Sequence, residues 1–335
     1  MVTARAGLWQ HLARRLRRAA PKAADSQPPE SGHDGTAPPA QAHTPRSIGG
    51  FAIQRTHARG PQGELHLATH PATRVPVALK TVTFHGDERT KERFLQESAA
   101  ASRLVHPHIV TTYACGIDTT GPKPVGWIAM EWVSGGDLSP HAQADNLLPP
   151  ALVLQIGIAL AEALAHAHRA GVIHRDLKPT NVLFNPGSGL LKLSDFGCAH
   201  LNDAERSRSG LIIGTPFYMA PEQLSGIPVD GRCDLYALGM LMFELLTGRL
   251  PFAHASLGET LAAIATEPAM PLSLARPELP ALLSDVLARL LAKRPADRHA
   301  DGKALAHELR MLLQPCNALS PILSTTSRAA PAMRP

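Results

Sequence analysis

The chain has 335 residues, of which 44% are apolar and 18% charged, the composition of a globular protein. Its longest apolar runs, Ala151 to Ala161 and Leu235 to Phe243, fall short of the ~18 uncharged residues that a membrane-spanning helix needs. We therefore expect no transmembrane segment.

The formal net charge of +5 is concentrated at one end of the chain. Six basic residues and no acidic residue stand among the first 22, which leaves 27 basic and 28 acidic residues for the remainder. Nonspecific nucleic-acid binding requires a basic surface along the fold. The near-neutral remainder therefore predicts that nucleic acid is not a partner.

The four cysteines, Cys115, Cys198, Cys233 and Cys316, are widely spaced and form no C-x-x-C pair. Neither a disulfide framework nor a cysteine zinc site is indicated, and a reducing, cytoplasmic compartment fits best. The histidine pairs His106/His108 and His166/His168 are two residues apart, a spacing that separates side chains on a helix. We assign no metal site to them.

Residues 21–46 are rich in proline and poor in large apolar side chains, which is typical of a linker. Residues 7–20 carry Leu8, Trp9, Leu12 and Leu16 at near-helical spacing among arginines. Three interpretations remain open for this basic segment: a disordered tail, a helix that binds an anionic membrane surface or a partner protein, and a cleaved targeting peptide.

Residues 48–314 are predicted to form the folded domain, between an N-terminal extension at 1–47 and a disordered tail at 315–335. The predicted secondary structure changes in type once within this domain. Residues 48–133 contain β-like runs (63–68, 75–82 and 127–132) and one helix (90–104). Residues 134–314 are mainly helical, with predicted helices at 151–170, 233–247, 257–266, 279–292 and 303–313. The predicted fold class is α+β, a small sheet-rich lobe and a larger helical lobe with a ligand cleft between them.

Four motifs follow one another along the domain. They are Val77-Ala78-Leu79-Lys80, His174-Arg175-Asp176-Leu177-Lys178-Pro179-Thr180-Asn181, Asp195-Phe196-Gly197 and Gly214-Thr215-Pro216-Phe217-Tyr218-Met219-Ala220-Pro221-Glu222. In this order and spacing they resemble the protein kinase family, in particular the bacterial serine/threonine kinases of eukaryotic type. The resemblance covers residues 48–314 and implies the bilobal kinase fold.

The resemblance implies transfer of the ATP γ-phosphate to Ser or Thr hydroxyls of protein substrates, with Mg²⁺ or alternatively Mn²⁺ as the cofactor ion. Charge spreads over the transferred group, so such a site must position ATP, neutralise its phosphates and aim a hydroxyl in line. Lys80 would bind the α- and β-phosphates, and Glu97 would fix Lys80. Glu88 and Glu92 are nearby alternatives that we interpret as solvated helix charges.

Four residues of the second and third motifs are expected to carry the chemistry. Asp176 matches the residue that accepts the proton of the substrate hydroxyl, and Lys178 would stabilise the γ-phosphate. Asn181 and Asp195 match the two metal ligands, and their oxygens are hard ligands that suit Mg²⁺.

The glycine-rich loop departs from the family pattern G-x-G-x-x-G-x-V. Ala58 replaces the first glycine and Leu65 the valine, whereas Gly60 and Gly63 carry over. Alanine penalises positive φ, and Pro61 has no N–H to offer a phosphate. We expect looser or differently shaped nucleotide binding.

The connector between the lobes is Met130-Glu131-Trp132-Val133. By resemblance, backbone atoms of Glu131 and Val133 would bind the adenine edge, and Asp137 would contact the ribose. Ala78 and Leu183 would sandwich the purine ring, and Met130 would line the back of the pocket.

Regulation is expected in the loop at 198–214, whose only hydroxyls are Ser207 and Ser209, next to Arg206 and Arg208. Autophosphorylation there, in a transient homodimer, would give Arg175 a phosphate to bind. An unmodified flexible loop is the alternative.

Further residues have expected structural roles. Thr215 would shape the acceptor site, and Glu222 and Arg298 would form a buried ion pair. Asp234 would hold the catalytic loop, by which we mean the segment from His174 to Asn181. Cys198 is interpreted as a small residue with an unreactive thiol.

Two alternatives to a protein kinase remain. A pseudokinase scaffold is disfavoured by the complete set of catalytic residues, although Ala58 and Pro61 keep it open. A small-molecule kinase is disfavoured by Thr215 and by the intact Ala220-Pro221-Glu222.

Overall fold

The structure is a computed structural model that describes residues 47–60, 63–84, 88–196, 216–252 and 254–318, with side chains of the last range described as far as Leu313. Several sequence predictions lie outside the described residues. These concern the segment 1–46, Pro61, Gly197, Cys198, Ser207, Ser209, Thr215 and the tail from 319.

The N-terminal lobe is built on a six-stranded antiparallel sheet with the order β1-β2-β3-β4-β6-β5. Its strands are β1 (Ser47–Ile48), β2 (Phe51–Gly60), β3 (Gly63–Thr69), β4 (Pro76–Thr83), β5 (Thr112–Asp118) and β6 (Val125–Glu131). The three predicted strands are therefore confirmed, with ends shifted by one or two residues.

Strand β4 carries an apolar run because both of its faces are buried. Val77 and Leu79 pack in one apolar cluster, whereas Ala78 and Val82 pack in a second one on the opposite face. Lys80 is two residues from both Ala78 and Val82. Because side chains along a strand alternate between its two faces, Lys80 lies on the same side of the sheet as these two residues. That side faces the space between the lobes.

Helix α1 (Glu88–Ala101) packs on the sheet next to β5. Its buried residues Phe94, Ser98 and Ala101 recur at the spacing of one helical face. The predicted helix at 90–104 is confirmed in kind and shifted toward the N-terminus by two or three residues.

The C-terminal lobe is mainly helical and includes a small antiparallel sheet, β7-β8-β9. Its helices are α2 (Pro150–Arg169), α3 (Pro221–Leu224), α4 (Arg232–Thr247), α5 (Leu257–Thr266), α6 (Leu272–Ala275), α7 (Ala281–Leu290) and α8 (Gly302–Ala318), and its strands are β7 (Gly136–Asp137), β8 (Val182–Asn185) and β9 (Leu190–Leu193). All five predicted helices are found. Helix α8 continues to Ala318. The predicted end at Leu313 is the last residue of the apolar pattern, and the helical backbone extends beyond it.

Helix α2 shows that the length of uninterrupted apolar runs underestimated how long an apolar helix this chain contains. It is long and apolar enough to span a membrane, with a mean hydropathy of 1.5, although each uninterrupted apolar run within it is short. In the structure, 72% of that apolar window is buried. The helix packs against α4 and α8, as expected for the central core helix of a lobe.

Candidate active site

A cavity of about 680 Å³ lies between the two lobes. Eight of the predicted site residues line it: Ala58, Gly60, Gly63, Leu65, Lys80, Lys178, Asn181 and Asp195. Residues from β2, β3, β4 and the loops around β8 and β9, distant in sequence, thus meet at one place.

The catalytic loop holds three of the predicted residues in one hydrogen-bonded group. Lys178 Nζ donates to Asp176 Oδ2 over 2.8 Å. Asn181 Nδ2 donates to the Asp176 carbonyl oxygen at 2.7 Å and to Asp176 Oδ2 at 3.2 Å. Both hydrogen bonds to this carboxylate fall on Oδ2, which leaves Oδ1 to accept from a substrate hydroxyl.

Lys80 and Asp195 form an ion pair, with Lys80 Nζ 2.9 Å from Asp195 Oδ1. Burial acts to raise the pKa of Asp195, but the charge and hydrogen bond of Lys80 outweigh it and hold this pKa below its ordinary value. Asp195 is therefore an anion at neutral pH. Its φ of 66° lies in the left-handed region, where aspartate is among the better tolerated residues.

The β8–β9 hairpin brings the two predicted metal ligands together. Val182 pairs with Leu193, so Asn181 and Ser194 are neighbours at the open end of the hairpin. The N–H and the hydroxyl of Ser194 both donate to the Asn181 carbonyl oxygen, at 2.9 and 3.0 Å. Asp195 follows directly, and the hydrogen bonds of Asn181 Nδ2 leave its Oδ1 as a ligand atom.

One carboxylate and one amide oxygen fit a magnesium site that substrate phosphates complete. Across the described ranges, no group of three or more His, Cys, Asp or Glu side chains is arranged to hold a metal ion. An ion at Asn181 and Asp195 would therefore depend on ligands that the nucleotide supplies.

The catalytic loop is anchored by Asp234, which is fully buried on α4. Its Oδ1 accepts from the Arg175 N–H at 2.7 Å, and its Oδ2 accepts from the His174 N–H at 2.8 Å. His168 Nε2 lies 2.7 Å from the same Oδ2. Burial acts to raise the pKa of Asp234, but the His168 hydrogen bond and charge keep it below its ordinary value. These bonds fix Arg175 at a left-handed φ of 65°.

His174 connects this anchor to the metal-binding side of the site. Its Nε2 is 2.8 Å from the Ser194 carbonyl oxygen, and its ring contacts that of Phe196 edge to face at 4.7 Å between centroids. The catalytic loop and the residues next to Asp195 are thus held against each other.

The glycine-rich loop is the β2–β3 hairpin, closed at the pair Gly60 and Gly63. Gly63 has a φ of +126°, and a Cβ atom there would lie 1.7 Å from the Thr81 carbonyl oxygen. At Gly60 a Cβ atom would meet nothing within 4 Å. The third glycine of the pattern is thus required by close packing on β4, whereas Gly60 is not constrained in this way.

Four of the residues predicted to contact adenine lie in one apolar cluster beside the cavity: Ala78, Met130, Val133 and Leu183. Leu65 of the glycine-rich loop packs in the same cluster. Leu65 also lines the cavity, so the cluster and the cavity adjoin. The adenine and ribose contacts themselves stay predictions.

Two residues near this cluster have other contacts as well. Glu131 Oε2 accepts from Lys192 Nζ at 2.9 Å and from the Thr111 N–H at 3.2 Å, which ties the connector to the C-terminal lobe. Asp137 Oδ1 accepts from the Ser139 N–H at 2.8 Å and so orders the turn after β7. Ser139 itself lines the cavity.

Glu97 lies half-buried on α1, in the turn that follows buried Phe94. Its pairing with Lys80 stays a prediction.

The predicted ion pair of Glu222 and Arg298 has two short contacts. Arg298 Nη1 donates to Glu222 Oε1 at 2.6 Å, and Arg298 Nη2 donates to Glu222 Oε2 at 2.8 Å. The guanidinium also donates to the carbonyl oxygens of Ala292, Arg232 and Lys293. This buried charge is therefore fully hydrogen-bonded, which is the condition for stability in a low dielectric.

Sequence reasoning missed two contacts at the functional site. Gln223 Nε2 donates to the Arg175 carbonyl oxygen at 3.0 Å and links α3 to the catalytic loop. Tyr218 Oη donates to Glu244 Oε2 at 2.5 Å, and both residues line the cavity. Burial, together with the Glu244 carboxylate, raises the pKa of Tyr218, and burial raises that of Glu244. Tyr218 stands inside a quoted motif, whereas no local signal marks Gln223 or Glu244.

The expectation that the paired histidines point apart is wrong for one pair. His106 and His108 lie in a turn, not on a helix, and their ring centroids are 5.7 Å apart. His106 also lies 5.3 Å from His166 of α2. Burial, followed by the nearby charges of His108 and His166, lowers the pKa of His106 to about 4.

Comparisons with known proteins agree with this architecture. The family model of the protein kinase domain matches residues 51–309. The serine/threonine-protein kinase Pkn1 of Myxococcus xanthus is 37% identical over 300 residues, which cover 87% of this chain and 42% of Pkn1. PknJ of Mycobacterium tuberculosis is 37% identical over 267 residues, 77% of this chain and 44% of PknJ.

The chain thus spans less than half the length of these two relatives. Among solved structures, the PknI kinase domain of Mycobacterium tuberculosis is 34% identical with a TM-score of 0.64, and the match covers 80% of this chain and 98% of that one. The predicted bilobal α+β kinase fold is confirmed. The chain belongs to the protein kinase family.

Proposed function

We propose that this chain is an ATP- and Mg²⁺-dependent serine/threonine protein kinase with Asp176 as the catalytic base. The observation that carries the proposal is the convergence of two charge groups at one cavity: Lys80 with Asp195, and Asp176 with Lys178 and Asn181. Phosphoryl transfer needs little covalent chemistry from the protein, so positioned charges of this kind are its main requirement.

The two lysines would bind different phosphates of ATP. Lys80 extends from β4, and Lys178 from the catalytic loop, into the same cavity. Lys80 would bind the α- and β-phosphates, and Lys178 would stabilise charge on the transferred phosphate. Asn181 and Asp195 would hold Mg²⁺, which when bound neutralises the phosphate oxygens.

Asp176 would act on the acceptor hydroxyl through Oδ1. The hydroxyl proton passes to this oxygen while the hydroxyl oxygen forms a bond to the γ-phosphorus. The bond from that phosphorus to the β–γ bridging oxygen breaks, and ADP leaves. The hydrogen bonds of Lys178 and Asn181 to Oδ2 would keep the carboxylate in this orientation.

Serine and threonine are the proposed acceptors because the relatives Pkn1 and PknJ are named as serine/threonine kinases. Lys178 stands where the serine/threonine branch of the family carries lysine. A reducing, cytoplasmic location is consistent with Cys115 and Cys233, which are free thiols.

Two regulatory proposals rest on the sequence alone, since their residues lie outside the described ranges. The basic segment at 7–20 would bind an anionic membrane surface or a partner protein, which a chain lacking residues 1–46 tests in a vesicle sedimentation assay. Ser207 or Ser209 would be autophosphorylated in a transient homodimer and paired by arginines.

The function is tested by incubating the chain with ATP, Mg²⁺ and a generic protein acceptor, followed by phosphoamino acid analysis. We expect phosphoserine or phosphothreonine, and at least a ~100-fold loss of rate in Lys80→Met. Lys123→Met removes the same charge at an exposed site outside the cavity and should stay within about twofold of the wild type. Equal rates for the two variants would argue against the proposed phosphate contact.

A further inference from the structure

Arg59 is a third cation at the cavity, beside Lys80 and Lys178. It stands in the β2–β3 hairpin between Ala58 and Gly60, so the loop expected to cover the nucleotide phosphates presents a guanidinium group. The family pattern specifies no charge at this position.

The three cations differ in what holds them. Asp195 binds Lys80 and Asp176 binds Lys178, so each lysine is neutralised by a carboxylate of the catalytic machinery. Arg59 pairs instead with Glu64 of the same hairpin, through Nε and Oε1 at 3.0 Å. Its side chain is 74% exposed, and this contact leaves Nη1 and Nη2 to serve a second acceptor.

The sequence of the hairpin makes such a contact useful. Pro61 offers no backbone N–H, and the methyl group of Ala58 restricts the backbone where the family pattern has glycine. Both changes remove freedom or donors that a phosphate-binding loop otherwise supplies. A guanidinium is the side chain best suited to replace them, because its planar donors match two phosphate oxygens at once.

We propose that Arg59 binds the terminal phosphates of the nucleotide and that Glu64 holds the guanidinium near this position when they are absent. The inference rests on the proposed ATP-dependent function and adds a specificity-determining residue to it. Arg59 would favour ATP over nucleotides without those phosphates.

Glu64 is suited to the tethering role because it is itself fixed. Its Oε2 is 3.4 Å from Nε2 of the buried His66, and its carbonyl oxygen accepts from Thr81 Oγ1 at 3.2 Å. The Arg59 side of this pair is mostly exposed, and exposed ion pairs contribute little to stability. A dianionic phosphate would therefore displace Glu64 at small cost.

The test measures dissociation constants of ATP with Mg²⁺ and of adenosine for the full-length chain. Arg59→Ala should weaken the binding of ATP about tenfold and the binding of adenosine less than twofold, because adenosine has no phosphate for Arg59 to bind. The ATP affinity of Arg59→Lys should fall between those of the wild type and Arg59→Ala, because lysine keeps the charge but lacks the planar pair of guanidinium donors. Arg55→Ala removes the same charge from an exposed site on β2 outside the cavity and should leave both constants within about twofold.

A double-mutant cycle tests the tether. Glu64→Gln should tighten ATP binding about two- to threefold in the wild type and have no effect when Arg59 is already alanine. Additive effects of the two substitutions would contradict the exchange of partners.

The outcomes separate this inference from the function on which it rests. A wild type that transfers phosphate while Arg59→Ala and Arg55→Ala bind ATP equally well would overturn the inference alone. A change in the KM of the protein acceptor without a change in ATP affinity would also overturn it and assign Arg59 to the acceptor. A wild type that binds no ATP would overturn the proposed function and the inference together.

Discussion

The backbone N–H of Arg175 donates to Asp234 Oδ1 over 2.7 Å, although 59 residues separate the two in the chain. The same carboxylate accepts from the N–H of His174, the preceding residue. One buried side chain of α4 thus sets the backbone of the catalytic loop one residue before the proposed base. The proposed catalytic geometry would therefore depend on a side chain that does not line the cavity.

Asp234→Asn should therefore damage both stability and catalysis. The amide would direct donor hydrogens at N–H groups that now face a carboxylate oxygen, which leaves buried donors unsatisfied. We expect a loss of about 2 to 4 kcal/mol in the free energy of unfolding and at least a tenfold lower kcat. Urea denaturation and steady-state kinetics measure the two effects, with exposed Asp285→Asn as the matched control. A variant with unchanged kcat would show that the loop does not need this anchor.

The pair of Glu222 and Arg298 predicts a non-additive result. Removing one partner, as in Arg298→Met, should cost about 3 to 5 kcal/mol because Glu222 is left buried without its counter-charge. The double variant Glu222→Leu with Arg298→Met should be more stable than the single variant. Denaturant unfolding of the four chains of the cycle measures the coupling. Purely additive changes would mean that the two charges act independently.

The two glycines of the β2–β3 hairpin should respond differently to the same substitution. Gly63→Ala places a methyl group against the Thr81 carbonyl oxygen at a φ that disfavours side chains, and should cost on the order of 2 kcal/mol and weaken ATP binding. Gly60→Ala meets no neighbour and should change stability by about 0.5 kcal/mol or less. Thermal unfolding and ATP titration compare the two, and equal effects would contradict the geometry at Gly63.

Acidification should destabilise the chain through His106. Its pKa is about 4 in the folded chain, below the ordinary 6.5, so between these values the unfolded chain binds a proton that the folded chain does not. Stability therefore falls as pH decreases from 6.5 to 4, by about 1 to 2 kcal/mol from this group after allowance for solvent screening. After burial itself, the neighbours that lower this pKa are His108, His166, Arg169 and Lys192.

His106→Asn should reduce the pH dependence of unfolding in that range, because the asparagine cannot be protonated there. The exposed His307→Asn provides the control. Parallel stability profiles for the wild type and His106→Asn would contradict the assignment.

Local motifs predicted much of the site because kinase chemistry places several reacting groups within single short segments. Asp176, Lys178 and Asn181 lie within six residues, and the structure brings them together as the spacing implied. Strand and helix positions also followed from local patterns, since alternation along β4 and the spacing of Phe94 and Ala101 reflect burial directly.

Long-range contacts could not be predicted in the same way. Gln223 and Glu244 reach the site only because α3 and α4 pack where they do, and neither residue stands in a distinctive local pattern. The approach of His106 to His166 likewise depends on how α2 meets the turn before β5. The partner of Glu97 also stays a prediction of the resemblance.

Intact mass analysis of the dephosphorylated chain after incubation with ATP and Mg²⁺, beside Asp176→Asn, tests the central claim most directly. Asparagine preserves the shape of Asp176 but cannot take up the hydroxyl proton. We predict mass increases in steps of one phosphate for the wild type, on serine or threonine, and none for the variant. Equal phosphate incorporation by both chains would contradict the role of Asp176. The absence of incorporation in the wild type, together with no transfer to protein acceptors, would contradict the proposed kinase activity and favour a scaffold.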